Sequence, residues 1–225
     1  MTFSVAGRCA RTGMLGVAIT TSSICVASRC PWVRAGVGAV ATQNITDPSL
    51  GTTLLDQLEL GLGAPRALQH VTQDRPGIEY RQLTVVDACG ATADFTGSHT
   101  LGTNAVASGG GCVAAGNLLA NTGIPQAMVD RFAGSSNEHL AARLLASLEA
   151  GLAAGGELGP VKSCGLLVAH EQPWPLVDLR VDWDDDAPLP RLRRLWESYE
   201  PQMNDYVTRA LNPAAAPSYG VPGDE

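Results

Sequence analysis

Lysine is nearly missing from this 225-residue chain: Lys162 is the single one among 15 basic residues, against 22 acidic ones. The resulting formal charge of −7 and a pI near 5.0 repel a phosphate backbone, and no basic stripe offsets them, so no nucleic-acid partner is expected. Long apolar runs are absent too: none reaches the roughly 18 residues of a membrane span, so no membrane partner is expected. The opening MTFSVAGRCARTG has no apolar stretch ahead of a small-residue cleavage site, which argues against a secretory signal and for a cytoplasmic location. The six cysteines form no CxxC pair and the four histidines share no short ligand spacing, so neither a metal nor another cofactor is expected. What remains is 45% hydrophobic residue with 16% charge and a mean hydropathy of +0.05, the make-up of a globular chain with one sizeable core.

Periodicity divides the chain into grouped elements. Thr2 to Arg8 and Leu15 to Thr21 read as a strand hairpin, Ser22 to Pro31 as a Ser/Cys-rich loop, and Val37 to Thr42 as a short strand apolar on both faces. The leucines from Leu54 to Leu68, broken by Gly61, Gly63 and Pro65, indicate two short helices. Tyr80 to Asp87 and Ala93 to Thr96 form a second hairpin, and Val106 to Ala115 reads as one Gly-rich strand. Ile124 to Phe132 and Leu140 to Leu152 follow as a second helical pair, Val161 to His170 and Leu176 to Trp183 as a third hairpin, and Leu189 to Leu211 as a mostly helical close. Strands in hairpins and helices in pairs do not build a doubly wound parallel sheet; they point to an α+β fold, a four-layer αββα sandwich with two mainly antiparallel sheets between helical layers. The expected organisation is one domain over 1–211 and a loosely ordered Pro/Ala arm over 212–225.

Thr2 is the most informative position. A small side chain after Met1 is the setting in which the initiator is trimmed, and the Thr2 hydroxyl would then share a residue with a free α-amine. Such an amine has a pKa of about 7.7–8.0, so near neutrality a useful fraction accepts a proton, and threonine with its own amine is an established nucleophile pairing. Thr at position two is also common without any role. A strand that starts at Thr2 gives it a rigid mount.

The segments TFSVAGRCARTGMLGVAITTSS and AGVGAVATQN, followed by YRQLTVVD, Thr96-Gly97, CVAAGNLL and AGGELGPVKSCGLLVAH, resemble the N-terminal-nucleophile (Ntn) hydrolases. In detail they are similar to a bacterial Ntn-type family labelled only as a domain of unknown function, over nearly the whole chain to about Tyr206. The resemblance implies the same αββα sandwich, a Thr or Ser nucleophile at the mature N-terminus, and hydrolysis of an amide-type C–N bond in a small-molecule substrate. It also implies an oxyanion site at the turn after the third strand, here Thr42, Gln43 and Asn44, residues that read alone as ordinary turn chemistry. Ser22 and Ser23 occupy the place of a residue that orients the nucleophile, as hydroxyls where a proteasome-type relative has an acid.

Other candidates come from the residues themselves. Asn117 is positioned either to donate its amide to substrate or to cap a turn, and Lys162 with Ser163 either tunes the α-amine or binds a carboxylate, or is an edge lysine that blunts aggregation. Arg81 suits a substrate carboxylate or an internal ion pair with Asp87. The aspartates from Asp182 to Asp186 lack the glycine and glutamate of a calcium loop and read as solvated. Two rival readings stand: a non-catalytic assembly module of the same fold, and a cysteine hydrolase built on Cys164 or Cys25. The resemblance, with the apolar segment Leu195, Trp196, Tyr199, Met203 and Tyr206, leads to an expected homo-oligomer.

Overall fold

A computed structural model describes residues 1–224. In chain order the elements are β1 (Thr2–Arg8), β2 (Leu15–Thr21), β3 (Pro31–Arg34), β4 (Gly38–Asn44), α1 (Ser49–Glu59), α2 (Ala64–Thr72), β5 (Arg81–Asp87) and β6 (Thr92–Thr96). They continue as β7 (Ala105–Gly109), β8 (Cys112–Asn117), α3 (Ile124–Ala133), α4 (Leu140–Ala153), β9 (Ser163–Ala169), β10 (Val177–Val181), α5 (Pro188–Tyr199) and α6 (Met203–Leu211). Two antiparallel sheets result, one of six strands ordered β10-β9-β2-β1-β8-β7 and one of four ordered β3-β4-β5-β6.

Period-two alternation on these strands sorts the side chains into three apolar layers. Phe3, Val5 and Ala18 point from the six-stranded sheet onto α3, α4 and α5, where they meet Phe132, Leu144, Leu148 and Trp196. Val40, Leu83 and Val85 point from the four-stranded sheet onto Leu50, Leu54 and Leu68 of α1 and α2. Between the sheets lie Ala6, Val17, Ala39, Ala41, Val86 and Val113, small residues that let the two sheets approach. The order helix, sheet, sheet, helix is the αββα sandwich expected from the grouped pattern. Leu140, Leu144, Leu145 and Leu148 are all fully buried; at about 1.5–3 kcal/mol for each such side chain, packing outweighs propensity in forming α4. One close approach demands glycine: a Cβ on Gly51 of α1 would stand 2.1 Å from Cδ1 of Trp32 on β3.

Several boundaries differ from the sequence reading, each for a local reason. The expected single strand from Val106 to Ala115 is a hairpin, because Gly110 and Gly111 take φ of 59° and 78° and reverse the chain between β7 and β8. Asn117, expected just past a strand, is the last residue of β8. β3 falls at the end of the Ser/Cys-rich loop; it is an edge strand, the one place where Pro31 costs no ladder bond. The helical close is interrupted at Glu200–Gln202, where Pro201 supplies no backbone N–H. Trp196 and Met203, taken from sequence as part of a surface for association, belong to the main core, whereas Leu195 and Tyr206 are exposed.

The arm after Asn212 is tied back. The Arg209 guanidinium donates to the carbonyls of Pro217 and Ser218 and lies 3.9 Å from the Tyr219 ring centre. The last residue of the expected 212–225 arm, Glu225, lies outside the described residues. Among the described residues no helix is long and apolar enough to cross a membrane.

Candidate active site

Thr2 begins β1, a central strand of the six-stranded sheet, between Thr21 of β2 and Asn117 of β8 in the ladder. Residues 2, 4 and 6 of that strand share one face, and Ala6 places that face between the sheets. The same parity on the neighbouring strands brings Thr21, Asn117, Gln43 and Gln82 to the inter-sheet face, at the end where the apolar filling stops. All five polar residues beside Thr2, counting Ser4, are at most 1% exposed.

Such groups must pair with one another or cost stability. They do so in a directed chain: Ser4 Oγ donates to Gln43 Oε1 (2.7 Å), and Gln43 Nε2 donates to Gln82 Oε1 (2.8 Å). That oxygen also accepts from Asn117 Nδ2 (3.2 Å), and Gln82 Nε2 donates to the Gly116 carbonyl (3.1 Å). Gln82 is therefore the junction that ties the two sheets together underneath Thr2.

The Thr2 hydroxyl donates to the Met1 carbonyl at 2.7 Å and stands 3.1 Å from Thr21 Oγ1, which donates to the same carbonyl. Thr2 is buried, 7% exposed, with Met1 half-buried ahead of it. The Met1 carbonyl is thus held by two hydroxyls, one from the next residue and one from across the ladder. Close by, Glu157 is 7% exposed and neither of its carboxylate oxygens has a hydrogen-bond partner. Burial pushes its carboxyl up to about 7, opposed by the charge of the amino terminus. Leu119 pairs with Glu157 in an isolated bridge, which fixes the loop that carries it.

The remaining sequence candidates divide sharply. Gln43 and Asn117 join the buried network at Thr2. Alternation turns Thr42 and Asn44 to the other face of β4: Thr42 N–H donates to Cys30 O and its hydroxyl to Asp47 O, while Asn44 bonds Tyr80 O and the Leu101 N–H. Ser22 is half-buried, and Ser23 is exposed and accepts from Arg29 at 2.8 Å while standing 3.3 Å from Thr21 Oγ1. Ser163 holds the loop after β2, donating to Ser23 O and accepting from the Val26 N–H.

Two basic candidates are engaged elsewhere. The Lys162 ammonium pairs with Asp185 at 2.8 Å. Arg81 donates to the Ile45 carbonyl and not to Asp87, whose carboxylate caps α2 through the Ala64 N–H and closes the turn through Cys89 and Ala91. Asp184 likewise binds backbone N–H groups of Asp186 and Ala187, which with Arg191 hold its carboxyl at about 2. Among the described residues no group of three or more His, Cys, Asp and Glu is placed to hold a metal ion.

Sequence reasoning passed over Thr21, Gln82 and Glu157. Hairpin register alone reaches Thr21, as the partner of Thr2, and strand parity counted from Val86 reaches Gln82. Nothing local marks Glu157.

The family described as "Family of unknown function (DUF1028)" matches residues 2–192. The chain belongs to this family. A crystal structure of another DUF1028 protein, SPO2555 from Silicibacter pomeroyi, is 32% identical, with a TM-score of 0.81 over 88% of each chain. Two more distant structures are an Anbu (Gly-1) mutant from Hyphomicrobium sp. strain MC1, at 14% identity and TM-score 0.45, and Anbu (ancestral beta-subunit) from Yersinia bercovieri, at 10% and 0.39. Each aligns over 90% of this chain and 96% of its own, a likeness too loose to bear on residue roles. No curated protein matches the chain.

Proposed function

We propose that this DUF1028 protein is an Ntn-type hydrolase of a small amide-like C–N bond, with Thr2 as nucleophile once Met1 is removed. The observation that carries the reading is a buried Thr2 at the head of a central strand, with Thr21 Oγ1 at 3.1 Å from its hydroxyl. In the reaction Thr2 Oγ1 attacks the substrate carbonyl carbon, and the α-amine takes the hydroxyl proton and passes it to the departing nitrogen. Thr21 Oγ1, which holds the Met1 carbonyl, donates to the developing oxyanion, and Asn117 is kept beside it by Gln82. Water then cleaves the ester on Thr2 and restores the hydroxyl.

The requirement for a free amine is tested by placing a lysine between Met1 and Thr2, a residue too bulky for initiator trimming. The extended protein is expected to fold and lose turnover in a screen of small amides and p-nitroanilides; full activity with Met1 and the inserted lysine both retained would refute an amine base.

A thiol nucleophile is disfavoured by the surroundings of Cys164. That side chain is fully buried, donates to the Pro188 carbonyl, and burial pushes its thiol up to about 12, so no useful thiolate forms near neutrality. Cys164→Ser is therefore expected to keep turnover within about threefold of wild type, the scale of a fraction of a kcal/mol. A loss of several hundredfold in a folded variant would restore the cysteine reading.

A further inference from the structure

We propose that the acyl half of the substrate carries a free amino group next to its carbonyl, as in an amino-acid amide, and that Glu157 binds that group. This deepens the reading of Thr2 as nucleophile and rests on it. Met1 shows where such a group would lie. It is an aminoacyl unit whose carbonyl is held by the Thr2 and Thr21 hydroxyls, and an acyl group on Thr2 Oγ1 is related to one on the Thr2 nitrogen by a single five-membered-ring transfer. The volume that Met1 leaves is therefore the volume that the acyl group of a substrate enters.

Two features of that volume choose the acyl group. The first is Glu157, more than nine-tenths buried with both oxygens unpartnered, in the field of the Met1 amino terminus. A buried carboxylate is retained at a cost unless something pairs with it, and even with Met1 in place neither Glu157 oxygen has a partner; the Thr2 amine that trimming exposes does not serve either, because it is unprotonated when it acts as the base. An ammonium adjacent to the substrate carbonyl enters the volume that Met1 vacates, beside Glu157, and supplies the partner that the carboxylate lacks. The second feature is Gly159, where a Cβ would stand 2.5 Å from Met1 Cε; its bare backbone leaves room for an unbranched acyl side chain. Burial raises the Glu157 carboxyl when it is alone, and an incoming ammonium reverses that shift, so the pair is completed by binding.

The test compares three p-nitroanilides on the mature protein: L-methionine p-nitroanilide, its N-acetyl derivative, and the 4-(methylthio)butyryl compound that lacks the amine. In each, attack by Thr2 breaks the anilide C–N bond, p-nitroaniline leaves with the proton relayed through the α-amine, and water releases the acid. The free amine is expected to give kcat/KM at least about tenfold above the other two, the low end for a charge-assisted bond in a buried site. In Glu157→Gln that ratio is expected to fall to about threefold or less. Equal or faster turnover of the N-acetyl compound by wild type would overturn the inference without depending on any variant folding, and so would a ratio unchanged in a folded Glu157→Gln. If the anilides prove too slow, the readout becomes protection of Thr2 from a β-lactone: L-methioninamide is expected to protect at lower concentration than N-acetyl-L-methioninamide, and the reverse order sinks the proposal. Lactone labelling of Thr2 without amine preference removes this inference and leaves the nucleophile standing; no labelling of Thr2 removes both.

Discussion

Thr2→Ala is expected to lose turnover by a factor on the order of 10⁴ or more, the scale seen when the nucleophile of a cooperating catalytic set is removed. The fold is expected to survive. With Met1 removed, the partner left to the Thr2 hydroxyl is Thr21 Oγ1 at 3.1 Å, and loss of that one bond costs about 0.5–1.5 kcal/mol, so the melting temperature falls by only about 1–6 °C. That separation of activity from stability is the diagnostic. Thr2→Ser keeps a hydroxyl and an α-amine at the same position and is expected to retain measurable turnover. Were alanine to match wild type on a substrate that wild type turns over, the hydroxyl at residue 2 would have no chemical role, and the polar pocket around it would be structural only.

Gln82→Leu is expected to be the most damaging single change outside the nucleophile. Leucine fits the volume roughly but leaves the buried Gln43 Nε2 and Asn117 Nδ2 without partners and removes a bond to the Gly116 carbonyl. At about 1–3 kcal/mol for each buried group left unpaired, a net loss of about 3–5 kcal/mol follows after partial relaxation. In a chain of this size that lowers the melting temperature by roughly 6–20 °C. Activity falls as well, because Asn117 sits opposite Thr2 in the ladder and loses its tether. Calorimetry on Gln82→Leu checks this, and a shift within about 1 kcal/mol of wild type would mean that the inter-sheet chain of amides is not a coupled unit.

The layers of the fold were legible because they rest on periodicity. Leucines at three- and four-residue spacing over Leu140 to Leu152 made α4, and hairpin turns between apolar runs made three of the eight strand pairs. Misread boundaries lie where glycine or proline chemistry decided the outcome: Gly110 and Gly111 turned a presumed strand into two, and Pro31 opened an edge strand inside a presumed loop.

The site was half legible. Thr2 stood out through its position, and Gln43 and Asn117 lie in segments already singled out. Grouping Thr42, Gln43 and Asn44 ignored alternation, which places only the middle one of the three between the sheets. Ser22 and Ser23 drew attention from Thr21, although an antiparallel hairpin running from Thr2 pairs it with Thr21. Lys162 invited a role by its rarity, yet an exposed aspartate two strands' length away, Asp185, takes its charge. Glu157 follows two glycines in a loop with no period; its place is fixed by the bridge to Leu119 and lies in the field of the amino terminus, neighbours that no local pattern announces.

The most direct measurement is the mass of the protein before and after exposure to a β-lactone, with the adduct located by peptide mapping. The account requires a chain that begins at Thr2 and a single acyl adduct on that residue, absent from Thr2→Ala. A chain that keeps Met1 while active, or an adduct on Cys25 or any other side chain with Thr2 unmodified, would contradict it.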